Sequence, residues 1–317
     1  MNVLITGVNG YIGLKIALNV LQKSNVIIGL DSNSANCVSL AGSSNYKFIQ
    51  ADITKKETFP SEIRGTDVLI HCAALVHKRS SDLSRENYFR INCEGTENVL
   101  DFLDKGRLRQ IIFISTVSVY GDLSYGVVPD ENSRAAPEDF YGESKLAAEN
   151  TIKEFSNKHK IPYTIFRLTP VYGDLFLLNI NKRIYLPGGT AFYKVGAGEQ
   201  RMSLASVNNV VDVVVDSINN SNYFNETFIV KDMEDYSINE IISSFKDIFS
   251  QHGKPVVQVP LCLPKAAFKL MGFVMPERAR YYGYQLRKIA DNAVYSGAKL
   301  HKMIQLKWNL KNTLKKY

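Results

Sequence analysis

Residues 2–13 read NVLITGVNGYIG. A short apolar run, Asn2 to Thr6, ends in Gly7, Gly10 and Gly13, and apolar residues at helical spacing follow: Ile12, Ile16, Ala17, Val20 and Leu21. That order predicts strand, tight turn, helix. Glycines at these positions allow the turn, a close approach of backbone to a pyrophosphate, and close packing of helix on sheet. The helix start that follows attracts phosphate. A glycine-rich turn alone is a weak signal; between a strand and a helix it predicts a dinucleotide site.

Reading outward, the same rhythm repeats. NVIIGLD at 25–31, YKFIQAD at 46–52, DVLIHCAA at 67–74, QIIFIST at 110–116 and YTIFRL at 163–168 are near-continuously apolar runs. Helical spacing is expected over about 85–105 and 142–158. Alternating strands and helices with strands apolar on both faces predict an α/β fold, a Rossmann-type parallel sheet covered by helices on both sides. Asp31 ends the second run, where a carboxylate accepts the ribose hydroxyls of an adenosine and repels a 2′-phosphate, so NAD is expected rather than NADP. Asp52 ends the third; it stands beside the adenine or is a solvated turn aspartate, and spacing does not choose.

After Tyr172 the rhythm changes. The stretch 173–200 is rich in Gly, Leu and Asn, with the turn signal PGG at 187–189. A helix is expected over 207–218, a strand at NETFIVK (225–231), and a capped helix at SINEIISSFKDIF, where Ser237 and Glu240 match a capping box. The division expected is 1–172, mainly the dinucleotide domain, and 173–317, mainly a substrate lobe, with 207–230 returning to the first. No repeat or low-complexity tract interrupts it.

Composition bounds the partners. The chain has 317 residues, 45% hydrophobic and 22% charged, with net charge +7. The positive balance suits an anionic ligand. The tail from Lys299 is basic, through His301, Lys302, Lys307, Lys311, Lys315 and Lys316. Its lysines are not interleaved with aromatics in a nucleic-acid motif, so nucleic acid is not expected. The tail reads as a solvated face, or as a contact with anionic membrane if the substrate is lipid-linked. Four cysteines, Cys37, Cys72, Cys93 and Cys262, contain no CxxC pair, and no metal site is expected. A reducing, cytoplasmic setting is expected, since MNVLITG enters a strand at once without a signal-peptide pattern and no run of 18 apolar residues occurs.

The chemistry is read from FYGESK. Tyr141 and Lys145 stand at i and i+4, one face of a helix. Tyrosine, with an ordinary pKa of about 10, is a poor base; a nearby ammonium favours its phenolate. Such a pair moves a proton to or from a sugar oxygen while hydride moves elsewhere. Ser115 and Thr116 end the fifth strand, at the edge where such sheets place ligands, and either is a candidate to hold the reacting oxygen.

With these pieces in place the chain resembles an extended short-chain dehydrogenase/reductase of the nucleotide-sugar epimerase/dehydratase family. TGVNGYIG, Asp31, ADI at 51–53, HCAA at 71–74, INCEGTENVL, STVSVYG, YGESK, FRLTPVYG and SLASVNNVVD carry the match, over about residues 2 to 216. The resemblance implies Thr116, Tyr141 and Lys145 as the catalytic triad. It implies a cofactor site of Gly7, Asn9, Gly10, Tyr11, Ile12, Gly13, Asp31, Asp52, Ile53, Ala73, Ala74 and Asn92, completed by Tyr141 and Lys145. It also implies Ser115, Ser118 and Arg201 at the substrate, with Arg201 near its diphosphate.

The later segments NETFIVKDMEDYSINEI, PLCLPKAAFKLMG and DNAVYSGAKL with Trp308 resemble a bacterial subgroup from surface-polysaccharide clusters. That subgroup implies an epimerase acting at C4 of a UDP-hexose or UDP-N-acetylhexosamine, or of another diphosphate-linked sugar. The alternatives are an NAD(P)H-dependent reductase of a UDP-4-keto-6-deoxy sugar and, further off, a non-catalytic NAD-binding protein; a homodimer is compatible with each. Val117 and Ser118 stand where a 4,6-dehydratase has adjacent Asp-Glu, which argues against that reaction. Two departures touch substrate choice: Phe140 replaces the family's proline before the tyrosine, and GDLFLLNINKR at 173–183 is short.

Overall fold

The computed structural model describes residues 1–23, 26–34, 40, 42–76, 84–121, 128–174, 176–260 and 291–314. Cys37, Cys262, Lys315, Lys316 and nearly all of PLCLPKAAFKLMG lie outside them.

The chain opens β1 (Asn2–Thr6), α1 (Tyr11–Leu21), β2 (Val26–Asp31), β3 (Tyr46–Gln50) and β4 (Val68–His71). It continues α2 (Arg85–Phe89), a π turn over Arg90–Glu94, α3 (Gly95–Phe102), β5 (Gln110–Thr116), α4 (Phe140–His159) and β6 (Tyr163–Leu168). Then come β7 (Val171–Tyr172), α5 (Leu178–Ile184), β8 (Phe192–Val195), β9 (Arg201–Ser203), β10 (Ala205–Ser206) and α6 (Val207–Ser217). The remainder is β11 (Glu226–Val230), β12 (Asp235–Ser237), α7 (Ile238–Ile248), β13 (Val256–Val259), α8 (Ala298–His301) and α9 (Leu310–Thr313).

Seven strands form one sheet in the order β11-β6-β5-β4-β1-β2-β3. The neighbouring pairs from β3 across to β6 are parallel, so the Rossmann-type sheet read from the sequence is the one observed. Strand order reverses between β1 and β4, the switch point at which such sheets bind ligands. Register carries Thr6 to Leu30 on one side and to His71 on the other, and His71 to Phe113. Thr6, Asp31, His71 and Thr116 all close strands at that edge.

The chain divides into two compact units. The first comprises Met1–Val119, Asp139–Leu168 and Val210–Phe228. Its core joins Leu4, Leu30, Leu69, Ile111, Phe113 and Ile165 of the sheet to Val99, Leu100, Ile152 and Phe155 of the helices. In α1 the buried positions are Gly13, Ile16, Ala17 and Val20, at steps of three and four. Asp139 caps α4, its carboxylate accepting the Gly142 N–H at 2.7 Å. The helix stops at Lys160, whose φ of 58° is left-handed.

One expectation is corrected here. The helix read over 85–105 runs from Arg85 only to Phe102 and is not uniform, because the π turn interrupts it. Leu103 leaves the helix in extended conformation, and with it Leu103 and Leu108 are buried in the core.

The second unit comprises Tyr120–Glu138, Thr169–Asn209 and Ile229–Tyr317. It thus includes Tyr120–Glu138, which the sequence division leaves with the first domain. Three two-stranded pairs, β7 with β10, β9 with β12 and β8 with β13, surround a core of Tyr172, Phe192, Leu204, Ile241 and Phe245. The capping box of α7 is present in both directions, Ser237 Oγ accepting the Glu240 N–H at 3.1 Å and Glu240 accepting the Ser237 N–H at 2.7 Å. Gly188 and Gly189 have positive φ at the expected turn. Asp232 is fully buried and accepts from the Ser206 N–H, Asn209, Tyr172 and Tyr236 at 2.7–3.1 Å. Burial nevertheless pushes its carboxyl up to about 6. Among the described residues no helix is long and apolar enough to cross a membrane.

Candidate active site

The glycine loop is built without room for side chains. Gly7 has φ +67°, and a Cβ on it would stand 2.7 Å from the Cα and N of Ala73. A Cβ on Gly13 would collide with the carbonyl oxygen of Gly7. The Gly7 N–H bonds the Leu30 carbonyl at 2.8 Å, which ties the loop to β2. Gly10 enters α1 extended, with no side-chain cap, and no acidic residue occupies the first turn with Tyr11 and Ile12. That helix start is open to an anion.

Asp31 sits beside the loop. Its Oδ2 accepts the Asn9 N–H and its Oδ1 the Asn33 N–H, each at 3.0 Å. The Asn9 amide also reaches the Asn33 carbonyl. A tight cradle, an uncapped helix start and a carboxylate at the end of β2 fit a dinucleotide.

Asp52 and Ile53 are occupied otherwise. Asp52 Oδ1 accepts the backbone N–H of Thr54 at 2.9 Å and its hydroxyl at 2.8 Å, so the aspartate caps its own turn. Ile53 is buried, and a Cβ on Gly95 would touch it at 2.8 Å. Its side chain packs the helix onto the sheet.

Asn92, in the π turn, is a clamp. Its Oδ1 accepts the Leu75 N–H at 2.7 Å, while its Nδ2 donates to the Leu75 carbonyl at 3.1 Å and to Ser144 Oγ at 2.9 Å. Ser144 Oγ donates in turn to the Tyr141 carbonyl at 2.9 Å. The turn after β4, which follows Ala73 and Ala74, and the first turns of α4 are therefore held by one side chain.

The chemical groups converge where β5 ends. Thr116 Oγ1 accepts the Ser118 N–H at 3.1 Å. Lys145 lies one helical turn beyond Tyr141 and is buried, its Nζ 3.9 Å from the centroid of the Phe113 ring. Burial pushes Lys145 down to about 7, with Glu149 opposing. Burial also pushes the Tyr141 phenol up, Asp139 and Tyr88 adding to it and the Thr116 hydrogen bond opposing. Burial is the largest of these causes, and Lys145 is not among the groups that lower the phenol.

Ser115 is bound to a different group. Its hydroxyl donates to Glu149 Oε1 at 2.6 Å. Glu149 is itself gripped by Arg167, at 3.0 Å from Nε and 2.6 Å from Nη2, with both residues buried. Ser115 belongs to that cluster. The sequence carried the signal: Glu149 continues the Tyr141–Lys145 face by four residues, and Arg167 is a charge inside an apolar strand.

Arg201, in the second unit, donates to the Asp235 carbonyl and lies 3.8 Å from the Glu240 carboxylate, half-exposed. Phe140 is 44% exposed at the start of α4. In the short 173–183 segment, Asn179 donates to the Val171 carbonyl at 3.1 Å and fastens α5 to β7.

With this geometry in hand, the comparisons with known proteins agree. The UDP-glucose 4-epimerase of Vibrio cholerae is 29% identical over 283 residues, 86% of this chain and 81% of that one. The N-acetyl-alpha-D-glucosaminyl-diphospho-ditrans,octacis-undecaprenol 4-epimerase of Escherichia coli O157:H7 is 25% identical over 308 residues, 95% of this chain and 88% of that one. The UDP-glucuronic acid 4-epimerase of Bacillus cereus, solved in complex with NAD, shares the fold with a TM-score of 0.76 at 21% identity, over 99% of this chain and 96% of that one. Residues 3–229 match the model of one family, and the chain belongs to it: the NAD dependent epimerase/dehydratase family.

Proposed function

We propose that this protein is an NAD-dependent epimerase that inverts C4 of a sugar carried on a diphosphate, a UDP-hexose or UDP-N-acetylhexosamine first, through a transient 4-keto sugar. The observation that carries the reading is Thr116 at the end of β5 with Tyr141 and Lys145 one turn apart on α4, at the sheet edge that also holds the glycine loop.

Gly7, Gly10, Gly13 and the start of α1 would hold the pyrophosphate of NAD, and Asp31 the adenosine ribose. When bound, NAD supplies the hydride acceptor and donor. The protein's own residues handle the proton. Tyr141 takes the proton of the sugar 4-hydroxyl in one half of the cycle and returns it to the 4-keto oxygen in the other. Thr116 lies within reach of the same oxygen and orients it. Lys145, poised near neutral pH, supplies positive charge that favours the phenolate when it forms. Ser118 and Arg201 are each assigned to the substrate, Arg201 to its diphosphate. Arg201 would exchange its Asp235 contact for that role.

Support for epimerisation comes from two relatives that span most of the chain and are named 4-epimerases. One acts on a sugar linked to an undecaprenyl diphosphate, so both carriers belong in the test. Purified protein is incubated with UDP-glucose, UDP-GlcNAc and GlcNAc diphosphate on a polyprenol, and C4 epimers are sought by NMR. Epimer formation on any of them supports the reading. Absence of epimer with excess NAD+, together with NADH oxidation on a UDP-linked 4-keto-6-deoxy sugar, replaces it with the reductase.

A further inference from the structure

His71 is the last residue of β4 and is 1% exposed. It stands between two buried threonines, one on each ring nitrogen: Thr6 Oγ1 is 2.6 Å from Nδ1, and Thr96 Oγ1 is 2.9 Å from Nε2. The other bonds of these hydroxyls decide where every proton lies. Thr96 donates its only proton to the Asn92 carbonyl at 2.7 Å, so it accepts from His71 and Nε2 carries hydrogen. Burial, with the charge of Lys145 adding, lowers the imidazole to about 3, so the ring is neutral and Nδ1 is an acceptor. Thr6 therefore donates to Nδ1. Its lone pair is left to accept the Ala73 N–H at 3.3 Å.

The result is a directed chain: Ala73 N–H to Thr6, Thr6 to His71, His71 to Thr96, Thr96 to the Asn92 carbonyl. Ala73 is the residue a Cβ on Gly7 would strike, so one end of the chain is the wall of the dinucleotide loop. At the other end Asn92 passes through Ser144 to the Tyr141 carbonyl. The ring also stacks on Phe113 at 5.7 Å, the same ring that carries the Lys145 ammonium. An apolar triad would fill this space in the core without the cost of burying polar groups. A chain in which every donor meets one acceptor imposes a single arrangement on the elements it joins.

We propose that His71 is a positioning residue: as an Nε2-protonated imidazole it sets the Thr6 hydroxyl that holds Ala73 against the glycine loop, and couples that loop to the turn carrying Tyr141. This is independent of which sugar is the substrate.

The test combines NMR of wild-type His71 with NAD titrations of His71→Leu, His71→Gln and Thr96→Val. Nitrogen-15 shifts are expected to report the Nε2–H form from pH 8 to pH 5 without titration. His71→Leu is expected to bind NAD about tenfold more weakly, the scale of one lost buried hydrogen bond. His71→Gln keeps an acceptor and a donor and is expected to recover to within about threefold. If His71→Leu does not fold, Thr96→Val carries the affinity measurement and is expected to weaken NAD by more than about threefold. An Nδ1–H ring, a ring that titrates between pH 5 and pH 7, or NAD affinity unchanged in the leucine variant (or, failing that, in Thr96→Val) overturns the proposal.

Discussion

Arg167 grips both carboxylate oxygens of Glu149, at 3.0 and 2.6 Å, one helical turn beyond Lys145. The pair is enclosed, with side chains 6% and 0% exposed, and Ser115 fills a remaining lone pair of the carboxylate. A buried pair is weak evidence for stability, but breaking one is costly because a charge is stranded. Arg167→Leu is therefore expected to destabilise the protein by about 3–5 kcal/mol in urea unfolding. The double variant Glu149→Leu/Arg167→Leu should recover most of that loss. A single variant as stable as wild type would mean the carboxylate is relieved in some other way.

The proton-carrying role proposed for Tyr141 is separable from binding. Tyr141→Phe removes one oxygen and leaves the ring beside Tyr88. Turnover is expected to fall below about 1% of wild type, with NAD affinity within about twofold. Residual turnover well above that level would assign the proton to another group.

Cofactor choice rests on Asp31. NAD(H) is expected to bind at least about tenfold more tightly than NADP(H), since the carboxylate would face a 2′-phosphate. Asp31→Ala should bring the two within about threefold. Tighter NADP(H) binding by the wild-type protein would remove Asp31 from this role.

Gly13 tests the cradle itself. A methyl at this position meets the Gly7 carbonyl, a backbone atom that yields only if the loop opens. Gly13→Ala should weaken NAD by more than about tenfold and cost about 1–3 kcal/mol of stability, the range for forced overpacking. Unchanged affinity would mean that the loop has slack the structure does not reveal.

The pH dependence of stability has a definite sign at His71. Its folded pKa of about 3 lies below the unfolded 6.5, so the folded state binds fewer protons between these values. The contribution of this group is complete above pH 6.5 and is lost as pH falls toward 3. Asp232 acts oppositely: its folded pKa of about 6 exceeds 3.8, so its contribution is present below pH 3.8 and is lost as pH rises through 6. Comparing wild type with His71→Gln cancels Asp232 and isolates the histidine. The stability gap between the two proteins should narrow as pH is lowered from 6.5, read by urea unfolding; a constant gap would place the folded pKa near its ordinary value.

The sequence by itself determined the sheet and the placing of Tyr141 and Lys145 on one helix face. NVLITGVNGYIG specifies strand, turn and helix through rules that act over a few residues: apolar periodicity and the freedom of glycine. Tyr141 and Lys145 share a face because helical geometry places i and i+4 together, and Ser237 with Glu240 is legible for the same reason. The tertiary structure decided what each polar group does once its neighbours close around it. Ser115 closes β5 beside Thr116, yet its hydroxyl is held by Glu149 of α4, a partner that only folding brings to it. His71 looked like one residue of an apolar strand; its role depends on Thr6 and Thr96, each brought to it from a distant part of the chain. The direction of the Tyr141 shift was hidden for the same reason. Spacing shows that an ammonium is near, but burial, which sets the size of the opposing effect, exists only after the chain has folded.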